Sequence, residues 1–365
     1  MPKTGLVLVS SAFLVFLIGL LMVFNTTSAE AIDRALEVHT FQPLMKQIIY
    51  AALGFFLGVG VYKLGYRNIL RLSPSLMFVG TIFLILVFVP KIGHEINGAK
   101  RWIGFEGFTF QPSEIMKYLI PLYVIDYFQK NREQIDFRFF IRLLLILAFP
   151  ISLIFLEPDN GTTIILFTTL IVLFFLYKVP FNYWAVPLAV FLLIGVGAAS
   201  QMPHVKDRIK VYLHPESDLR GKGHQPYQAK IAAGSGRLFG KGLGQSLQKL
   251  NYLPEARSDY IAAIYAEEFG FLGMLVLISV YMLMAFAGFF IAFSARHREG
   301  FYVASILTFL IALQAFLNLG VVSGLLPSKG MTLPFFSLGG TALVVNIAAL
   351  FLLINIAILD KRYAA

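Results

Sequence analysis

A helix that crosses a bilayer needs about twenty consecutive, largely apolar residues, because a hydrocarbon core of about 30 Å is covered at about 1.5 Å per residue and holds no water for the backbone. This chain repeats that length about ten times, at 4–25, 47–64, 73–92, 112–129, 138–157, 160–178, 183–201, 268–294, 300–322 and 340–359. The expectation is an all-α, polytopic membrane protein with about ten transmembrane helices, forming a single integral membrane domain over residues 1–365. Composition agrees, with 58% hydrophobic and 14% charged residues, against about 45–50% apolar and about 25% charged in soluble domains. The fourth segment is the least apolar, since it carries Glu114, Lys117 and Asp126. The first, Gly5 to Phe24 behind Lys3, outruns the core of a signal peptide. It is expected as a retained helix, although Ala29-Glu30-Ala31 faintly resembles a cleavage site.

Loop charge sets the orientation, because short cytoplasmic loops collect Lys and Arg. With the N-terminus inside, every short inner segment is basic: Lys3; Lys63, Arg67 and Arg71; Lys130, Arg132, Arg138 and Arg142; Lys178; Arg296 and Arg298; Lys361 and Arg362. The short outer loops are poorer: the first sets Arg34 and Lys46 among Glu30, Asp33 and Glu37, and the loop after span five has Glu157 and Asp159 with no cation. Both termini are therefore expected in the cytoplasm, with 202–267 a large extracytoplasmic loop between spans seven and eight. That loop carries Lys206, Arg208, Lys210, Arg220, Lys222, Lys230, Arg237 and Lys241. The positive-inside bias discounts long loops, so this basic surface calls for an anionic partner outside: a lipid diphosphate, or ordinary phospholipid. Nucleic acid is not implied by the net charge of +10, which placement in loops accounts for. With no Cys, there is no disulfide or thiolate metal site.

Four constellations of polar residues carry candidate chemistry. Gln111-Pro112-Ser113-Glu114 opens the fourth span, and Glu114 and Lys117, three apart, share a helix face. An ionisable pair in a membrane segment marks a functional site or an ion pair locking two helices. Lys100-Arg101-Trp102 suits a headgroup anchor or a grip on phosphate. Asp159, before Asn160-Gly161, reads first as a helix cap. Asp259 lies in the longest polar interval, 225–273, just before Tyr260-Ile261-Ala262-Ala263-Ile264, where it is a helix cap or a catalyst. Pro327, Gly330 and Pro334 suggest re-entrant backbone, which is tolerated at membrane depth where protein buries it. No zinc-protease, nucleophile-elbow or P-loop pattern competes.

Together these residues resemble the SEDS family (shape, elongation, division and sporulation), the membrane-embedded peptidoglycan polymerases FtsW and RodA. The resemblance covers nearly the whole chain. It rests on Arg101-Trp102, Gln111-Pro112-Ser113-Glu114 with Lys117, Pro158-Asp159 with Gly161, Gln225-Pro226-Tyr227-Gln228, Gly234-Ser235-Gly236, Gly240-Lys241-Gly242, Ala266-Glu267-Glu268-Phe269-Gly270 and the run from Leu326 to Pro334. The stretch from Ser246 to Ala256 and Lys329-Gly330-Met331-Thr332 look more like the FtsW branch than the RodA branch. Two positions depart from the family pattern: Leu338 where Tyr is usual, and Glu157 where Gln is common.

The resemblance implies polymerisation of lipid II at the outer face of the bacterial cytoplasmic membrane. Asp259 matches the essential aspartate and is expected to act as general base. Substrate binding is expected at Arg101, Trp102, Gln111, Ser113, Glu114, Lys117, Asp159 and Lys329, with Arg101, Lys117, Lys329 and a divalent cation (Mg²⁺ or Mn²⁺) neutralising the departing undecaprenyl diphosphate. A class B penicillin-binding protein and other division or elongation proteins are the implied partners. Glu255, Arg257, Glu267 and Glu268 receive no chemical step. A flippase or a non-catalytic division scaffold are the competing classes. Spans two, three, six and ten are almost free of charge, which disfavours a polar path through the full membrane depth.

Overall fold

The computed structural model describes residues 2–33, 41–96, 99–105, 108–131, 136–187, 189, 193, 197, 212, 223–250, 253, 256–328 and 330–362. The chain is helical: α1 Lys3–Asp33, α2 Gln42–Leu64, α3 Tyr66–Val87, α4 Pro112–Lys130, α5 Phe137–Leu156, α6 Asn160–Leu176, α7 His224–Ser235, α8 Ile261–Ser294, α9 Arg298–Val322 and α10 Gly340–Arg362. Seven of these, α1, α2, α3, α5, α8, α9 and α10, are long and apolar enough to cross a membrane, and α6 is a shorter apolar helix. The protein is a multi-pass membrane protein. The span expected at 183–201 lies mostly outside the described residues, as does most of the basic stretch up to 222.

α4 is short of apolar character because protein surrounds it. It packs on α3, α6, α9 and α10, and most of its side chains are buried, including Lys117 and Asp126. Lys130, one turn beyond Asp126, pairs with that acid at 2.6 Å. One feature was not anticipated: between α3 and α4 the chain forms an antiparallel sheet in the order β1 (Gly93–Ile96), β2 (Ala99–Phe105), β3 (Phe108–Phe110). Its residues belong to no expected span, and the sheet carries the Arg101-Trp102 pair to the start of α4.

Two breaks in helical structure position the rest. α8 starts at Ile261, so 261–267, expected as the end of the large loop, are helical. Within α8, Gly270 adopts φ 68° and ψ −165°, a conformation open essentially to glycine alone. The break frees backbone groups, and residues 237–242 fill them. Lys241 and Gly242 donate to the carbonyls of Glu267 and Glu268 at 3.0 Å, while Phe271 and Leu272 donate to those of Arg237 and Leu238 at 2.8 and 3.1 Å. A Cβ on Gly270 would lie 2.3 Å from the Gly240 nitrogen, and one on Gly240 2.1 Å from the Glu268 carbonyl oxygen.

The second break is the segment 330–339, which lies outside any helix yet is largely buried between α9 and α10. This is the re-entrant backbone that Pro327, Gly330 and Pro334 suggested. Its polar groups are satisfied by side chains from the spans. Asn318 donates to the Met331 carbonyl at 2.6 Å, Gln314 to that of Thr332 at 2.9 Å, Tyr281 to that of Pro334 at 2.6 Å and Gln47 to that of Ser337 at 2.9 Å.

Gly240→Ala and Gly270→Ala are each expected to cost at least about 1–3 kcal/mol, the strain of a side chain in such backbone. The loss is read as a lowered melting midpoint in detergent, with Gly60→Ala, where a Cβ meets open space, leaving the midpoint unchanged.

Candidate functional site

Three polar groupings surround the re-entrant segment, and each is held by an element whose sequence explains its position. The first is the corner between α5 and α6. Asp159 caps α6, accepting from the Thr162 backbone N–H at 3.2 Å, as the sequence suggested. Its other oxygen accepts from Ser113 Oγ at 2.9 Å and Gln111 Nε2 at 3.1 Å. Three of the expected residues thus meet in one hydrogen-bonded set. The Gln111 N–H also donates to Thr341 Oγ1 at 3.0 Å, joining the start of α4 to the start of α10.

Arg101 reaches the same corner from β2. Its Nε donates to the Glu157 carbonyl at 3.1 Å and its guanidinium also donates to the Pro158 carbonyl. β1 and β2 shift register here, with Trp102 opposite His94 and Lys100 opposite Glu95, so Arg101 is the extra residue of a β-bulge, a device that re-aims a side chain.

Glu157 is fully buried beside Arg101 and Asp159, and neither carboxylate oxygen has a hydrogen-bond partner among the described residues. Burial is the main cause that raises its pKa to about 9; Asp159 adds to the rise and Arg101 opposes it. Glu157 is therefore a neutral acid at neutral pH.

The second grouping is Glu114 with Lys117. Lys117 is 1% exposed and donates to Glu114 at 2.5 Å and to Gln314 Oε1 at 2.7 Å. Gln314 in turn supports the Thr332 carbonyl, so the pair braces the re-entrant segment.

The third is the turn carrying Asp259. The Arg257 carbonyl accepts from the Leu338 N–H at 3.1 Å, and the Asp259 carbonyl from Asn318 at 2.9 Å. Gly330 lies against the carboxylate: a Cβ there would sit 3.1 Å from Asp259 Oδ2. A Cβ on Gly161, two residues after Asp159, would meet Met331 at 2.8 Å. The Asp159 corner and the Asp259 turn therefore flank the same two residues, Gly330 and Met331. Lys329, their sequence neighbour, lies outside the described residues.

The comparisons fit this arrangement. The profile of a family described as cell cycle protein, comprising FtsW, RodA and SpoVE, matches residues 6–362. The chain belongs to this family. Among its relatives, the probable peptidoglycan glycosyltransferase FtsW of Nitrosomonas europaea is 35% identical over 97% of this chain and 93% of its own. That of Legionella pneumophila is 36% identical over 96% and 89%. The fold matches a chain in a structure of a peptidoglycan synthase complex that coordinates polymerization and crosslinking, with TM-score 0.76, 23% identity and coverage of 97% and 98%. It also matches the rod shape determining protein RodA of Thermus thermophilus, with TM-score 0.68, 24% identity and coverage of 96% and 95%.

In this FtsW/RodA family chain the sequence reading missed several site residues. Gln314 and Asn318, one turn apart on α9, tie the Lys117 and Asp259 groupings to the re-entrant segment. The available signal was two amides four apart in an apolar span, where polar side chains seek partners. Glu267 and Glu268 are also explained: they hold the loop before Asp259. Glu267 accepts from Lys241 at 2.6 Å and Ser246 Oγ at 2.5 Å, and Glu268 from Lys249 at 2.7 Å and Asn25 of α1 at 2.5 Å. Asp259 thus stands two residues before the helix whose Glu267 and Glu268 hold that loop.

Because the folded state holds the Glu157 proton from its ordinary value of 4.5 up to about 9, its contribution to stability falls as pH rises through that window. Glu157→Gln is expected to match wild type below about pH 5 and to exceed it by up to about 1.4 kcal/mol per pH unit above that, levelling near the folded pKa. Melting curves from pH 5 to pH 9 measure the difference.

Proposed function

We propose that this chain polymerises lipid II into β-1,4-linked glycan strands at the outer face of the bacterial cytoplasmic membrane. The observation that carries the reading is the Asp259 turn, braced on one side by Asn318 and on the other by the loop that Glu267 and Glu268 hold, with Gly330 leaving room for its carboxylate. A carboxylate on a fixed backbone suits general-base catalysis, which needs the base within hydrogen-bond reach of the hydroxyl. The names of the FtsW relatives point to the same class of reaction.

In this reading Asp259 takes the proton of the GlcNAc 4-hydroxyl of one lipid II as that oxygen attacks the anomeric carbon of MurNAc in another. Undecaprenyl diphosphate leaves from the opposite side, so a single displacement inverts the donor's α linkage to β. Arg101 suits the departing diphosphate: it is half-buried, and two carbonyls do not exhaust the five N–H groups of a guanidinium. Lys117, sealed against Glu114 and Gln314, serves as a strut for the site floor instead. Gln111, Ser113 and Asp159 shape the corner beside Arg101, and Trp102 supplies an aromatic face at the headgroup level. Lys329 joins them as the neighbour of Gly330.

The described residues contain no group of three or more His, Cys, Asp or Glu side chains that fits a resident metal ion. The Mg²⁺ or Mn²⁺ arrives with the diphosphate. The membrane domain is proposed as one unit, 1–365, with both termini cytoplasmic and 202–267 on the outer side. A class B penicillin-binding protein, with other division proteins, is the proposed partner, and division is the proposed setting, in keeping with the FtsW relatives.

The test is glycan synthesis from lipid II and a divalent cation by the chain purified with its penicillin-binding partner. Asp259→Asn is expected to lower polymer yield at least about 100-fold, the usual weight of a general base, with the melting midpoint unchanged. Equal polymer from both proteins would remove Asp259 from this role. Lipid II translocation in vesicles without polymer would replace the polymerase by a flippase.

A further inference from the structure

The loop that fills the α8 break carries large apolar side chains that the fold leaves uncovered. Phe239 is 75% exposed, Leu247 59% and Leu243 54%, with Leu238 close behind. Water is a poor solvent for so many large apolar groups in eleven residues, and a short loop has the option of folding them inward. Here that option is closed. Backbone hydrogen bonds pin 237–242 to Glu267, Glu268, Phe271 and Leu272, and Glu267 and Glu268 hold Lys241, Ser246 and Lys249 from beneath. The polar side of the loop is thus turned to the protein and its apolar side outward.

The height of the loop follows from α8. The helix has 34 residues, about 51 Å at the α-helical rise, whereas a bilayer core takes about 30 Å. Counting about 20 residues back from Ser294, the hydrocarbon ends near Leu275, about one turn before Phe271. Phe271 is itself 60% exposed, and the lipid-facing strip continues through Leu275 and Val276. Residues 237–239 lie directly beside Phe271 and Leu272. The apolar face of the loop therefore extends the lipid-facing surface of α8 at the membrane boundary, with exposed Arg237 beside Leu238 and Phe239.

We infer that residues 237–247 form an interfacial foot, whose Leu238, Phe239, Leu243 and Leu247 enter the shallow acyl region of a glycerophospholipid leaflet while Arg237 sits at its phosphates. A cation above apolar side chains at this depth matches the layering of a lipid surface. A foot of this kind fixes the height of the Asp259 turn against the leaflet, because Glu267 and Glu268, which hold the foot, lie on the helix that begins two residues after Asp259. The inference requires only that α8 spans the membrane and holds whatever reaction the site performs.

The chain contains no cysteine, so single-cysteine variants label cleanly. Phe239→Cys and Leu243→Cys, both exposed, are labelled with bimane in the full-length protein and placed in nanodiscs of phosphatidylcholine and phosphatidylglycerol. Met282→Cys, 67% exposed deeper in α8, is the benchmark for the membrane interior. Nitroxide near the headgroup end of the acyl chain is expected to quench the labels at 239 and 243 at least about twofold more than nitroxide near the methyl end, with the reverse order at 282. Quenching at 239 and 243 by aqueous iodide but by neither lipid nitroxide would overturn the inference by placing the loop in water. Protection from all three quenchers would overturn it by showing that protein covers this face. Elution of each labelled variant with wild type in size-exclusion chromatography keeps these outcomes interpretable.

Discussion

Backbone that leaves the helix inside a membrane must find its hydrogen bonds within the protein, since lipid offers none. In this chain that requirement centres on 330–339. Asn318, Gln314, Tyr281 and Gln47, from three different spans, supply donors to its carbonyls. The same amides then do double duty: Asn318 also holds the Asp259 carbonyl, and Gln314 also accepts from Lys117. The site is organised because the re-entrant segment cannot be stable without the groups that position it. The demand for backbone satisfaction and the placement of the proposed general base are met by the same bonds.

Buried charge follows a parallel rule. A buried ion is tolerated when it is paired and hydrogen-bonded, and such pairs specify which elements meet more than they add net stability. Lys117 with Glu114 joins α4 to α9 through Gln314. Lys249 with Glu268 joins the loop to α8, and Asn25 brings in α1. Glu157 shows the other solution, since a buried acid without a partner stays neutral by keeping its proton. Asp159, by contrast, accepts from Ser113 and Gln111 at that corner.

Much of this was legible in the chain. Apolar runs about twenty residues long report membrane helices directly, because the bilayer selects length and composition together. Asp159 as a cap, Glu114 with Lys117 on one face and re-entrant backbone near Pro334 all follow from local rules, and all are present. Long-range pairing was not legible. Nothing local says that Asn25 will meet Glu268, 243 positions away, or that Gln314 will receive Lys117. The small sheet was missed because its strands are short and lie between spans, where hydropathy is silent. The bulge that sets Arg101 apart from the ladder is visible only once those residues are known to form strands.

The discontinuity at Gly270 changes what counts as a unit of this protein. By sequence, 237–242 belongs to a polar loop and 261–294 to a helix; by hydrogen bonding, the loop supplies a turn's worth of the helix's missing partners. The two stretches are therefore obligate companions despite the residues between them. A chimaera that exchanged the loop with a relative's while retaining the host helix would split one cooperative element at its seam. Exchange of 237–271 as a block would keep that seam whole.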